Sequence, residues 1–279
     1  MILLSISSAD PSSIDDDSIL FKTLLSEGKI SQAIEISKSI LDKSRSLSDR
    51  HYETEAWIRM ERALLGACDP KNVGSELRWS VDRFASICPG SALHGLSLLN
   101  LASWHLNKEE EMMALVTLSD ISPSAGHPND IVGLSRLESG RILASIGDTE
   151  PAMRHLWIAM RRLSTDEMKA ESIVCGMEWL DIALEDVDPS SPRMDDRISN
   201  ARPRETPGLT SMPSSPDDIR EVVEQILSNS MHDLSGPIRD DLGLVLDASE
   251  IIGENSWREA LASRLEEIQD TRLIEVLQS

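Results

Sequence analysis

The chain has 279 residues, 40% hydrophobic and 27% charged, which is enough apolar material for one or two packed domains and too much for a disordered chain. Its net charge is −21, from 48 acidic and 27 basic side chains, so it repels phosphate backbones and anionic lipid, and neither nucleic acid nor a membrane surface is an expected partner. Two Phe, one Tyr and six Trp stand against many Leu, Ile, Ala and Met, a choice that favours helices over strands.

The first residues, MILLSISSADPSS, lack the basic start and the long apolar run of a secretory leader. No stretch approaches the roughly 20 apolar residues that span a bilayer, so a soluble, cytoplasmic protein is expected. From there the pattern is paired amphipathic helices. Ser18–Leu25 places Ile19, Leu20, Leu24 and Leu25 at helical spacing, and Glu27-Gly28-Lys29 breaks it before Ser31–Leu41 resumes with Ala33, Ile34, Ile36, Ile40 and Leu41. Glu53–Leu65 pairs with Glu76–Ile87, and Ser91–Leu106 pairs with Glu110–Leu118, with breaks at Asp69-Pro70, Cys88-Pro89-Gly90, Asn107-Lys108 and Pro123. Asp130–Ile146 carries Ile131, Leu134, Leu137, Ile142, Leu143 and Ile146; Gly147-Asp148 turns the chain into Pro151–Leu163. Repeat units start near residues 14, 54, 95 and 133. One such pair cannot hide its apolar face alone, and stacking on neighbours does so.

A further helix is predicted over Thr165–Glu185, opened by a Ser164-x-x-Glu167 capping box. Residues 187–216 then hold six of the 13 prolines with many Ser, Arg and Asp, and read as a flexible linker. Ser215-Pro216-Asp217-Asp218 is a strong helix start, and Ile219, Val222, Val223, Ile226 and Leu227 follow on one face. Helices over Ile238–Ile252 and Ser256–Ile268, with a Leu273–Leu277 tail, complete a small acidic unit. The expected domains are 14–186 (helical repeat), 187–216 (linker) and 217–279 (C-terminal helices).

Chemistry-bearing motifs are missing. There is no phosphate-binding glycine loop, no HExxH and no GxSxG. Three scattered cysteines, Cys68, Cys88 and Cys175, form neither a disulfide framework nor a zinc pattern. Six histidines are dispersed; His94 and His105 lie about three helical turns apart, roughly 16 Å, too far to share a metal. Asp15-Asp16-Asp17 and the acids near Glu185 lack the glycine and alternation of a calcium loop. Trp79, Trp104, Trp157 and Trp179, inside predicted helices, read as packing residues. No metal or cofactor is expected, and the chain reads as no enzyme.

The turn Gly147-Asp148-Thr149-Glu150-Pro151-Ala152, followed by Leu156 and Ala159, resembles the turn and second helix of a tetratricopeptide repeat. Gly28-Lys29-Ile30-Ser31-Gln32-Ala33, followed by Ser37 and Ile40, is similar. Upstream, Gly140 with Leu143, and Phe21 with Leu24, fall at that family's first-helix packing positions; Phe21 is larger than the usual residue there. Trp57 falls at its early aromatic position. The likeness covers about residues 14–163. It implies an all-α fold of antiparallel helix pairs stacked as a solenoid, with a small C-terminal helical unit, and a protein or peptide partner held on a concave face lined by first helices.

Alignment on Gly28, Trp57 and Gly147 puts Lys22, Arg62 and Arg141 at one inward position, which would suit an acidic peptide, the chain's own C-terminal unit included. The flanking position used by carboxylate clamps in that family holds Ser18, Ile58 and Leu137, a departure from a strict clamp. The alternative readings are a structural subunit that uses flat helix faces and, third, an all-α enzyme.

Overall fold

A computed structural model describes residues 11–46, 50–202, 208–231, 234 and 242–278. Residues 1–10, the first residues of the helix expected at Ile238–Ile252, His232, and 203–207 of the expected linker lie outside that set. The described residues form helices and turns without strands, apart from one isolated bridge between Val187 and Ser214. They divide into two compact units, Met1–Pro128 and Asn129–Ser279.

The first unit is built from α1 (Pro11–Ser26), α2 (Ile30–Ser46), α3 (Tyr52–Leu64), α4 (Val73–Ile87), α5 (Ala92–Leu106) and α6 (Glu111–Ser119), each packed on the next in sequence. Phe21, Leu24, Ala33, Ile40 and Ile58 form one buried cluster, and Met60, Ala63, Leu77 and Leu101 form another. These are the apolar positions whose period predicted the helices.

The second unit contains α7 (Asn129–Ser145), α8 (Thr149–Arg162), α9 (Lys169–Ala183), α10 (Met194–Ser199), α11 (Pro216–Ser230), α12 (Gly243–Ile252), α13 (Asn255–Ala262) and α14 (Thr271–Gln278). Helices α7 and α8 approach closely because Gly140 has no side chain. A Cβ there would sit 2.8 Å from Leu156 and 3.3 Å from the Ala152 carbonyl.

Each first helix ends in the same way. At Gly28, Gly66 and Gly147, φ is +70°, +69° and +81°; the next residue's N–H reaches back five residues and the glycine's own N–H three. That is the Schellman motif. The fourth example, at the end of α5, has Glu109 at φ +61° in place of glycine, with Glu110 N–H on the His105 carbonyl. An L-residue in this conformation costs about 1–2 kcal/mol. Glu109→Gly is therefore expected to stabilise the first unit by about 1 kcal/mol, read as a higher denaturation midpoint with unchanged slope.

Two expectations change in the second unit. Ser164 donates its hydroxyl to the Arg161 carbonyl at 2.8 Å, so it does not cap a helix. A 3₁₀ turn at Asp166–Met168 precedes α9 instead. The segment 187–216, read as a flexible linker from its prolines, contains α10 and packs on its own unit. Met194 is fully buried, Arg197 pairs with Glu150, and Thr210 Oγ1 donates to Asp148 at 2.8 Å. Polar anchors hold it where large apolar residues are few, and composition counts only the latter. The C-terminal helices belong to the same core: Ile226 lies against Gly176, and Gln225 donates to Ser172 at 3.1 Å. The helix start at Ser215 forms as expected, its hydroxyl accepting from Asp217 N at 3.3 Å.

Candidate functional site

Lys22, Arg62 and Arg141 occupy unlike surroundings. Lys22 is exposed on α1, its ammonium 5.3 Å from the centre of the Trp57 ring. Trp57 in turn meets Phe21 edge-on at 5.4 Å. Arg62 points elsewhere: it donates to Ser37 Oγ on α2 at 2.8 Å and to the Ala67 carbonyl at 2.9 Å. Five residues past Trp57 is about 500° of helix, so Arg62 sits about 140° round α3 from it. Within the first unit the expected equivalence of Lys22 and Arg62 therefore fails. Arg62 is placed by aligning Trp57; counted from the turn glycines it lies four residues before Gly66, whereas Lys22 and Arg141 lie six before Gly28 and Gly147. Arg141 is held by Glu178 at 2.6 and 2.9 Å and by Glu138 at 2.8 Å, and the paired carboxylates raise its pKa.

On the Trp57 side of α3, Glu61 and Leu64 follow at i+4 and i+7, one stripe of the helix. Burial raises the Glu61 pKa, opposed by the Trp57 hydrogen bond and the Lys22 charge. Leu64 is 49% exposed. Asn100 of α5 meets this side through Met60, its amide nitrogen 3.4 Å from the sulfur, and Leu96, one turn before Asn100, is also exposed. Helices α1, α3 and α5 thus present a cation beside an indole, two exposed leucines, a carboxyl and an amide.

Sequence reading missed a buried carboxylate nearby. Glu55, with a side chain 0% exposed, is gripped by Arg50 at 2.6 and 2.7 Å and by Arg45 at 2.9 Å, with Arg59 at 3.8 Å. It also missed a histidine pair. Gly90 N–H donates to His94 Nδ1 at 3.2 Å, and His127 Nδ1 lies 3.3 Å from Ser122 N and 3.2 Å from the Ser122 carbonyl oxygen. His127 Nε2 lies 3.3 Å from His94 Nδ1. Burial, then the charge that His127 would carry, lowers the His94 pKa. The histidine pair joins residues 33 apart along the chain, whereas the cations around Glu55 all lie within ten residues of it.

Two further buried groups are shifted by their surroundings. Burial, then the Arg136 and Arg154 charges, pushes His155 down to about 4, and burial pushes the Cys175 thiol up to about 12. Among the described residues no group of three or more His, Cys, Asp or Glu is placed to hold a metal ion. None of their helices is long and apolar enough to cross a membrane. His155 and His94 stay neutral in the fold and protonate in the unfolded chain near pH 6.5. Their contribution to stability is complete above that pH and is lost as pH falls, toward about 4 for His155. Thermal midpoints measured from pH 7.5 to 4.5 are expected to fall less steeply in His155→Gln than in the parent protein.

No protein-family model matches this sequence, and no curated protein matches it.

Proposed function

We propose that this protein is a binding module of the tetratricopeptide type, which holds a segment of a partner protein on the α1, α3 and α5 face of its first unit and carries out no catalysis. The observation behind this reading is that face: exposed Leu64 and Leu96 beside half-buried Trp57, with Lys22 and Asn100 at hand. Exposed apolar groups around an aromatic anchor are the usual energetic centre of an interface. An amide such as Asn100 can meet the backbone of an extended peptide, which has unpaired N–H and C=O groups. In the resembled family this surface is the inner one. The four Schellman-ended first helices support that likeness.

Charge does not make this face selective for acidic peptides, because Lys22 shares it with Glu61. Peptides selected from an unbiased library are expected to bind the intact protein, and Leu64→Asp or Lys22→Glu to weaken them at least tenfold. Both residues are exposed, so the variants keep their fold. Failure to select any peptide, or equal affinity in both variants, removes the proposal.

A second reading, a subunit of a larger assembly, is favoured by α6. Met112, Met113 and Val116 are 66%, 49% and 59% exposed on one side of that helix. Association through that apolar stripe would survive high salt and be lost in Val116→Asp.

A further inference from the structure

On the opposite side of α3 from Leu64, the first unit stacks guanidinium groups and aromatic rings alternately. Arg50 lies 5.2 Å from the Tyr52 ring centre and Arg83 4.6 Å from it. Arg83 is also 5.0 Å from the Trp79 ring, and Arg59 3.8 Å from that same ring. The order is Arg50, Tyr52, Arg83, Trp79, Arg59. The side chains come from the approach to α3, from α3 itself and from α4.

Two of the three cations are neutralised. Arg50 and Arg59 share Glu55, and Arg59 also binds Glu76. Arg83 forms neither an ion pair nor a hydrogen bond with any described residue, although acids outnumber bases in the chain by 48 to 27. Its Nε is buried without a partner. Rings on two sides fix the plane of this guanidinium, so little freedom is lost when an anion docks on its terminal nitrogens. Arg45, 44% exposed, also binds Glu55, so three cations share that one carboxylate. Tyr52, 41% exposed, offers an apolar edge.

We propose that Arg83 is a docking point for a single oxyanion, a carboxylate or a phosphate, carried by a side chain of a partner protein. A planar guanidinium fork accepts either group through paired N–H donors. The net charge of −21 repels an extended polyanion, while one anionic group meets the local cations at short range. This site lies apart from Lys22 and Leu64, and it stands or falls independently of the peptide face.

The test follows the arginine Nε–H resonances by NMR in the full chain during titration with inorganic phosphate. The signals of Arg83 and of Arg50, its neighbour on the Tyr52 ring, are expected to shift saturably with one common dissociation constant. Arg272, whose side chain is 82% exposed, should drift linearly as ionic strength rises. Arg83→Met, which keeps the packing against both rings, should abolish the saturable shift at Arg50. If Arg83 and Arg50 merely drift with Arg272 in the parent protein, the proposal is overturned, whatever the variant does. Two otherwise identical peptides, one with phosphoserine and one with glutamate, then identify the source. Tenfold tighter binding of one assigns the partner to phosphorylated or to acidic proteins. If neither binds more tightly than inorganic phosphate, the partner-protein assignment is wrong.

Discussion

Replacing Glu55 with alanine is expected to destabilise the first unit by about 3 kcal/mol, the typical cost of breaking a buried ion pair from one side. Glu55 is wholly buried, and its two oxygens bind Arg45 and Arg50 with Arg59 close by. Removing the carboxylate leaves three guanidinium groups facing one another around an apolar gap. Arg45 and Arg50 are partly in water and recover some solvation, which keeps the cost from rising further. The same hub sets an acid limit. Burial alone would raise the Glu55 pKa, but the hydrogen bonds from Arg50 and Arg45 outweigh it and leave the value below normal. The stabilisation is thus complete above the ordinary glutamate pKa near 4.3 and is lost as pH falls through the lower folded value. Glu55→Gln should lose much of the stability and remove that acid transition, both measurable by urea denaturation at pH 7 and pH 3.5.

Trp157→Ala is expected to cost the second unit about 3–5 kcal/mol, the range for truncating a buried Trp. The indole is 1% exposed and 5.3 Å from the Trp179 ring, its Nε1 donates to Asp195 at 3.1 Å, and Arg161 lies 4.7 Å over its ring. One side chain thereby ties α8 to α9 and to the start of α10. Trp157→Phe should cost less, since it keeps the ring contact and loses only the donor. Guanidinium unfolding that shows a loss below 1 kcal/mol for Trp157→Ala would mean that the 187–202 segment is not fastened through this ring.

Helix positions were readable in the sequence because each pair repeats its apolar residues at a 3.6 period and stops at Gly28, Gly66 or Gly147. The fourth stop is read from Asn107-Lys108, but its left-handed residue is Glu109, a conformation that its identity does not announce. Packing expectations held where burial decided them: Trp157 and Trp179 are in the core. They failed where polar contacts decided them. The 187–216 segment is fastened by Arg197, Asp195 and Thr210, residue types that composition counts as solvated. The site was legible only in part. Lys22 lies beside Trp57, a contact between helices that the alignment does not give, and side-chain direction sends Arg62 onto Ser37. In the stack of Arg50, Tyr52, Arg83, Trp79 and Arg59, Trp79 and Arg83 are one helical turn apart, but nothing local in the sequence brings that pair to Tyr52 and Arg59.

The most direct measurement is backbone chemical-shift mapping of a library-selected peptide on the intact protein. The largest changes are expected at Lys22, Trp57, Glu61, Leu64, Leu96 and Asn100, along one face of α1, α3 and α5. Changes confined to α2, α4 or α6, with that face unmoved, would contradict the claim that the first helices carry the partner.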